Sequence, residues 1–274
     1  MANMRLFYAI ELGNSDMVKS LLRTGSDVNC KDPFGRRPIH VCAIEGEVDI
    51  ARLLLHKGGH KDQTNKYGCT PLHLACMNRQ VEMVRFLLVE GADIEARDRC
   101  ENTPCHLACE YGSMQCLRVL LAAGIDVDVQ NQFGEAPLHV ACKHGHLDVV
   151  NALLEFGADV NEIDNTGRTS LHCSAEGLHL DCLERLLEAG AAPDVLDKYK
   201  RNAAAIARSH LQKQLKGAGR NKTKASRRSP KRVGSSANLM HTKMMKKFAE
   251  EQAAAKQMIK LLTTAVEQPE STEE

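Results

Sequence analysis

Three histidine–cysteine pairs recur in this chain: His73 with Cys76, His106 with Cys109, and His139 with Cys142, each 33 residues after the last. A spacing of three puts both side chains on one face of a helix, and imidazole beside thiolate is the chemistry of a zinc site. Structural zinc needs four ligands in one dense cluster, whereas these pairs come one per interval, so no metal is expected. Packing accounts for them instead. Cys76, Cys109 and Cys142 share one apolar register and Cys116 and Cys182 another, where reduced cysteine serves as a small hydrophobe. The 11 cysteines are an odd number with no secretory pattern, which argues against a disulfide framework. There is no glycine-rich phosphate loop and no nucleophile elbow, and the carboxylates fall at repeated positions where a structural duty suffices. Neither catalysis nor a cofactor is expected.

The interval that spaces these pairs organises the chain. Arg37-Pro38-Ile39-His40, Thr70-Pro71-Leu72-His73, Thr103-Pro104-Cys105-His106, Ala136-Pro137-Leu138-His139 and Thr169-Ser170-Leu171-His172 start 33 residues apart. Each is followed 21 residues on by a glycine, Gly58, Gly91, Gly124, Gly157 or Gly190, and Gly25 brings in a further copy that opens at Met4-Arg5-Leu6-Phe7. Units that cannot bury an apolar face alone must stack on their neighbours. In the copy that starts at Ala136, Pro137 suits a first helical turn. Apolar residues at three- and four-residue spacing then predict two short amphipathic helices, separated at Gly145 and ended at Gly157. The polar stretch from Ala158 to Gly167 predicts a hairpin.

With Thr-Pro-Leu-His, paired helices and a closing Asp-x-x-Gly turn all in register, the chain resembles the ankyrin-repeat family over about residues 4–201. The resemblance implies an all-α-dominated solenoid of helix pairs joined by β-hairpin loops, in units 4–36, 37–69, 70–102, 103–135, 136–168 and 169–201. It implies a structural, unit-linking role for His40, His73, His106, His139 and His172, and it places Asn29 and Asn161 where family members undergo asparaginyl hydroxylation. Gly59-His60-Lys61-Asp62 departs from the family's Ala-Asp-Val-Asn, which makes the second hairpin chemically different, and four glycine positions depart as well. Arg79 and Leu178 replace the glycine between the helices, and Glu101 and Lys200 replace the turn glycine, so each is expected to be strained or to need another turn.

Beyond the repeats the character of the chain changes. Residues 202–274 hold 15 of the 36 basic residues but 6 of the 35 acidic ones, a net +9 that offsets −8 in residues 1–201. Residues 202–216 read as a degenerate capping helix and 217–236 as a basic, disordered linker. In that linker Lys222, Lys224, Arg227, Arg228, Lys231 and Arg232 form either a soluble tether or an import or polyanion-binding signal, with Ser229 before Pro230 as a candidate phosphorylation site. No aromatic interleaves these charges, so nucleic acid is not the expected partner. Residues 237–266 form an amphipathic helix with a coiled-coil seam of Met245, Phe248, Gln252, Ala255, Ile259, Leu262 and Val266, which needs a second partner, a second copy or the solenoid to cover it. Residues 267–274 read as a disordered acidic tail. No apolar run is long enough for a membrane span, and a cytoplasmic or nuclear location, or both, is expected.

Binding is therefore the expected function. Of ten aromatic residues, four share the hairpin-tip register, Phe34, Tyr67, Phe133 and Tyr199, and Tyr111 and His144 are predicted on adjacent inner-helix surface. Exposed rings in a row are good anchors because they bury much area at little rotamer cost. Glu11, Glu45, Glu110, Glu135 and Glu176 lie beside them and favour a basic or amphipathic protein segment. The expectation is a non-enzymatic adaptor that holds such a segment; the alternative is a nuclear regulator directed by the basic run.

Overall fold

The computed structural model describes residues 2–213 and 235–267. The chain divides into two compact units, one of residues 1–141 with 148–158 and one of residues 142–147 with 159–274. The described residues are helical and contain no strand.

The first unit is built from helix pairs: α1 (Ala2–Glu11) with α2 (Ser15–Arg23), α3 (Pro38–Glu45) with α4 (Val48–His56), α5 (Pro71–Met77) with α6 (Val81–Val89), and α7 (Pro104–Glu110) with α8 (Met114–Ala122). Proline at the first turn of α3, α5 and α7 costs no hydrogen bond there. The inner helices α1, α3, α5 and α7 pack side by side, as do the outer helices α2, α4, α6 and α8. Helices α3, α5 and α7 each bury almost their whole circumference. In α5, Leu72, Leu74, Ala75 and Cys76 are all buried, and α6 returns Met83, Val84 and Leu87 to the same core. Helices α9 (Pro137–His144) and α10 (Leu147–Glu155) continue the pattern, and the second unit adds α11 (Ser170–Gly177) and α12 (Leu180–Glu188).

The loops close as turns. The amide of Asp98 donates to the carbonyl of Asn102 at 3.0 Å, and the same bond joins Asp32 to Arg36 and Asn65 to Cys69. Neighbouring tips are tied by one backbone bond each, Lys66 to Phe34, Arg99 to Tyr67 and Gln132 to Cys100. The expected hairpins thus exist as stapled tips without a β-ladder among the described residues. Arg79, Glu101, Leu178 and Lys200 take φ between 56° and 59°, so the non-glycine positions keep the family's turns and carry the strain. At Arg79 there is compensation, because its Nε and Nη2 donate to the carbonyl of Tyr111 at 3.2 and 2.6 Å.

In the second unit a seventh inner helix, α13 (203–213), buries Ala203, Ala204, Ile206 and Ala207. The last helix departs from the repeat. Helix α14 (Ser235–Glu267) begins inside the segment expected to be linker and packs against α12. In α12 the buried trio is Cys182, Leu183 and Leu186; Met258, Ile259 and Leu262 repeat that spacing in α14, with Met258 and Leu262 fully buried and Ile259 half-buried. The trio recurs after 76 positions rather than 33, which leaves 43 extra residues inside a seventh helix pair. Arg208 Nη2 reaches Thr263 Oγ1 and Gln257 Nε2 reaches Glu184 Oε1, both at 3.3 Å. The expected seam is corrected accordingly. Of that seam Ala255 and Leu262 are buried and Gln252 and Ile259 half-buried, Met258 joins the buried row and Val266 is exposed, because α14 matches the surface of α12; the side chains of Met245 and Phe248 lie outside the described ones.

Candidate functional site

The signature histidines are internal rungs. The backbone amide of Thr70 donates to His73 Nδ1 at 3.2 Å, so Nδ1 is an acceptor and the proton rides on Nε2, which donates to the carbonyl of Asn102 at 3.0 Å. His40, His106 and His172 repeat the arrangement with Cys69, Glu135 and Arg201. Each accepting carbonyl ends its repeat, so the imidazole ties the start of one repeat to the start of the next. Burial holds His40 and His106 down to about pKa 4 and also lowers His73 and His172. The cysteines beside them are equally spoken for. Burial pushes the thiols of Cys42, Cys76 and Cys142 well above their usual range, which suppresses the thiolate that would attack or bind metal.

The surface that remains available lies at the tips and at the ends of the inner helices. One side chain shapes each tip. Asp32 Oδ1 accepts from the amides of Phe34 and Arg36 at 2.8 Å, and Asn65, Asp98, Asn131, Asp164 and Asp197 serve their own tips alike. These turns push the next residue but one outward. Phe34, Tyr67, Phe133 and Tyr199 are accordingly 52%, 57%, 53% and 71% exposed. Tyr111, the residue after α7, is exposed too. His144 ends α9 and stacks on His146, with ring centroids 6.3 Å apart.

Cations attend the rings, which sequence reading missed. Lys66 Nζ lies 4.6 Å from the Phe34 centroid and 5.0 Å from that of Tyr67, Arg36 Cζ is 5.5 Å from Phe34, and Arg201 Cζ is 5.0 Å from Tyr199. The signal was present in the register, since Lys66, Arg99 and Lys198 each immediately precede the aromatic position. The acidic series is thinner than expected. Glu135 is buried, and Glu176 is held by Arg168 at 3.0 Å; Glu11 and Glu45 stay exposed.

Asn29 and Asn161 bridge loops. Asn29 Nδ2 donates to the carbonyl of Gly58 at 2.9 Å, and Asn161 Oδ1 accepts from the amide of Ala192 at 2.8 Å. Lys222, Lys224, Arg227, Arg228, Ser229, Lys231 and Arg232 lie outside the described residues. No described helix is long and apolar enough to cross a membrane.

A ladder of buried histidines behind a row of exposed tips defines a tandem helical-repeat protein whose free surface is suited to protein–protein contact. The family profile described as "Ankyrin repeats (3 copies)" matches residues 6–98, 84–164 and 105–198, and the chain belongs to the ankyrin-repeat family. Among solved structures it is similar to the ankyrin repeat domain of Bcl-3, a unique member of the IkappaB protein family, with 26% identity over 74% of this chain and 92% of that one and a TM-score of 0.64. It is also similar to the human ASB11 ankyrin repeat domain, with 28% identity over 73% and 90% and a TM-score of 0.68. No curated protein sequence matched the chain.

Proposed function

We propose that the protein is a non-enzymatic scaffold or adaptor that holds an amphipathic segment of a partner protein across its tips and the ends of its inner helices. The observation that carries this reading is the exposure of Phe34, Tyr67, Tyr111 and Phe133 in one unit, at recurring positions along its tips and inner-helix ends. Rings held by rigid turns lose little entropy on binding, which is what an anchor residue requires. The basic preference expected for the segment rests on Glu11 and Glu45 at the inner helices, since Glu135 and Glu176 are otherwise engaged. A photo-crosslinking residue placed at Tyr111 or Phe133 of the full chain in cells should give discrete adducts with protein. The same residue at Arg118 on the outer helix α8 should give none. Equal yields at all three positions would sink the proposal.

A second reading is a nuclear regulator, favoured by the run Arg227-Arg228-Ser229-Pro230-Lys231-Arg232. A phosphate on Ser229 would subtract nearly two charges from it. A reporter fused to residues 217–236 should enter the nucleus; a cytoplasmic reporter, with unchanged distribution of the full chain after alanine replacement of those four basic residues, ends this reading.

A further inference from the structure

The tips of the first unit sort their charges in an unexpected way. The carboxylates that staple the turns face inward, and Glu101, exposed at the third tip, is paired with Arg97 at 3.7 Å. Asp32 is 8% exposed and is used up by the amides of Phe34 and Arg36 and by Arg36 Nε at 2.6 Å. Asp98 likewise accepts from the amides of Cys100 and Asn102, at 2.8 and 2.9 Å, and from Asn102 Nδ2 at 3.3 Å. The second tip uses neutral Asn65 for the same duty. The outward face therefore keeps the cations. Lys31, Lys66 and Arg99 are exposed, and none of them pairs with a carboxylate among the described residues.

One of these cations is also held in place. Lys66 lies over Phe34 and Tyr67 together, at 4.6 and 5.0 Å, and its amide bonds the Phe34 carbonyl. The backbone that carries Arg99 is tied to the neighbouring tip by its amide bond to Tyr67, and it lies close to Gly68: a Cβ there would meet Arg99 N at 2.7 Å. An ammonium over two rings keeps its charge and gives up rotamer freedom in advance, so pairing with an anion costs less entropy. In the second unit Lys198 and Lys200 are exposed around Tyr199, and the cation over that ring is Arg201, which pairs with Asp197.

We infer that the tip edge of the first unit, Phe34, Lys66, Tyr67 and Arg99, docks an acidic protein segment, its carboxylates on the cations and its apolar side chains on the free faces of the rings. This rests on the scaffold reading and names the chemistry of the partner at the tips, opposite in sign to that favoured by Glu11 and Glu45 on the inner helices. A single-stranded nucleic acid fits less well, because stacking bases need the ring faces that Lys66 occupies.

The test uses the full chain and labelled short peptides in fluorescence anisotropy. A peptide alternating Glu with Ser should bind at least about tenfold more tightly than its Gln–Ser and Lys–Ser counterparts, with affinity falling as salt rises. Lys66→Glu with Arg99→Glu should abolish that preference, and Phe34→Ala should weaken binding roughly threefold by freeing Lys66. Equal binding of the three peptides, or tighter binding of oligothymidylate than of the Glu–Ser peptide, overturns the inference. If crosslinks form at Phe133 and Tyr111 while the Glu–Ser peptide shows no preference, the scaffold stands and the acidic segment falls. If the peptide preference holds but those crosslinks fail, the tip chemistry stands and the proposed partner path does not.

Discussion

The first and last helix pairs solve the same problem in opposite ways. In the first, Met4 and Tyr8 are 57% and 56% exposed, although their register mates Thr70 and Leu74 are 3% and 6% exposed. Those positions are buried in the inner repeats, so α1 shows water a face that its register mates bury. At the other end α14 supplies a surrogate outer helix, and Met258 and Leu262 are fully buried. An end repeat can thus be left with an open apolar face or be covered by a segment from outside the period, and the second choice makes the covering helix part of the fold.

The largest effect should come from uncovering the covered end. Met258→Asp with Leu262→Asp places two charges at buried sites, and each lost apolar contact costs roughly 2–5 kcal/mol before the charge is counted. The expected result is release of α14, with hydrogen-exchange protection lost in α11 to α13 and retained in α3 to α7. Met4→Asp with Tyr8→Asp should stay within about 1 kcal/mol of the parent, as exposed positions do. Comparable melting-temperature losses for the two double variants would erase the contrast.

Acid separates the ends from the middle. Phe7 and Ala205 occupy the signature-histidine register of the end repeats, so the proton-sensitive rungs lie between them. His40 and His106 have folded pKa values of about 4 against an ordinary 6.5. Between those values the unfolded chain binds more protons, so stability is present above 6.5 and is lost as pH falls toward 4. From pH 7 to pH 5 each of the two should forfeit about 2 kcal/mol, read as a falling denaturation midpoint. The carboxyls of Asp164 and Asp197, held low chiefly by hydrogen bonds that outweigh their burial, act only below the ordinary carboxylate range. A midpoint flat from pH 7 to pH 5 would contradict protonation of the rungs.

A smaller change sharpens the same point. His106→Phe imitates the end register and should cost about 1–3 kcal/mol by orphaning the Thr103 amide and leaving the Glu135 carbonyl with only the Asn131 amide as donor. It should also remove His106's share of the pH dependence. Smaller still, Asn29→Ala at the open end should cost about 1 kcal/mol through its bond to Gly58. Intact mass of protein from animal cells tests the hydroxylation implied for Asn29 and Asn161, where the expected sign is one added oxygen; an unmodified mass at both removes it.

Much of the architecture is legible because each repeat is a local object. Pro38, Pro71 and Pro104 announce inner helices, the glycines announce their ends, and the tip position announces exposed rings, all within one period. Less legible is whatever depends on which neighbour a side chain meets. Glu135 has the composition of a surface residue, yet it ends a repeat against the next signature helix and is buried. Lys66 looks like filler until the adjacent tip puts Phe34 beneath it.

The sequence by itself determined the period, the helix pairs, the buried cysteine and histidine registers and the outward aromatics, because stacking asks every repeat for the same residues at the same positions. Tertiary structure alone decided which face of α14 is buried and where it lies. Heptad spacing admits several seams, and choosing Ala255, Met258 and Leu262 required the surface of α12, a contact made across 76 positions that no 33-residue period encodes. It also decided the sign of the charge at the tips, since that depends on which carboxylates turn inward to staple their own loops.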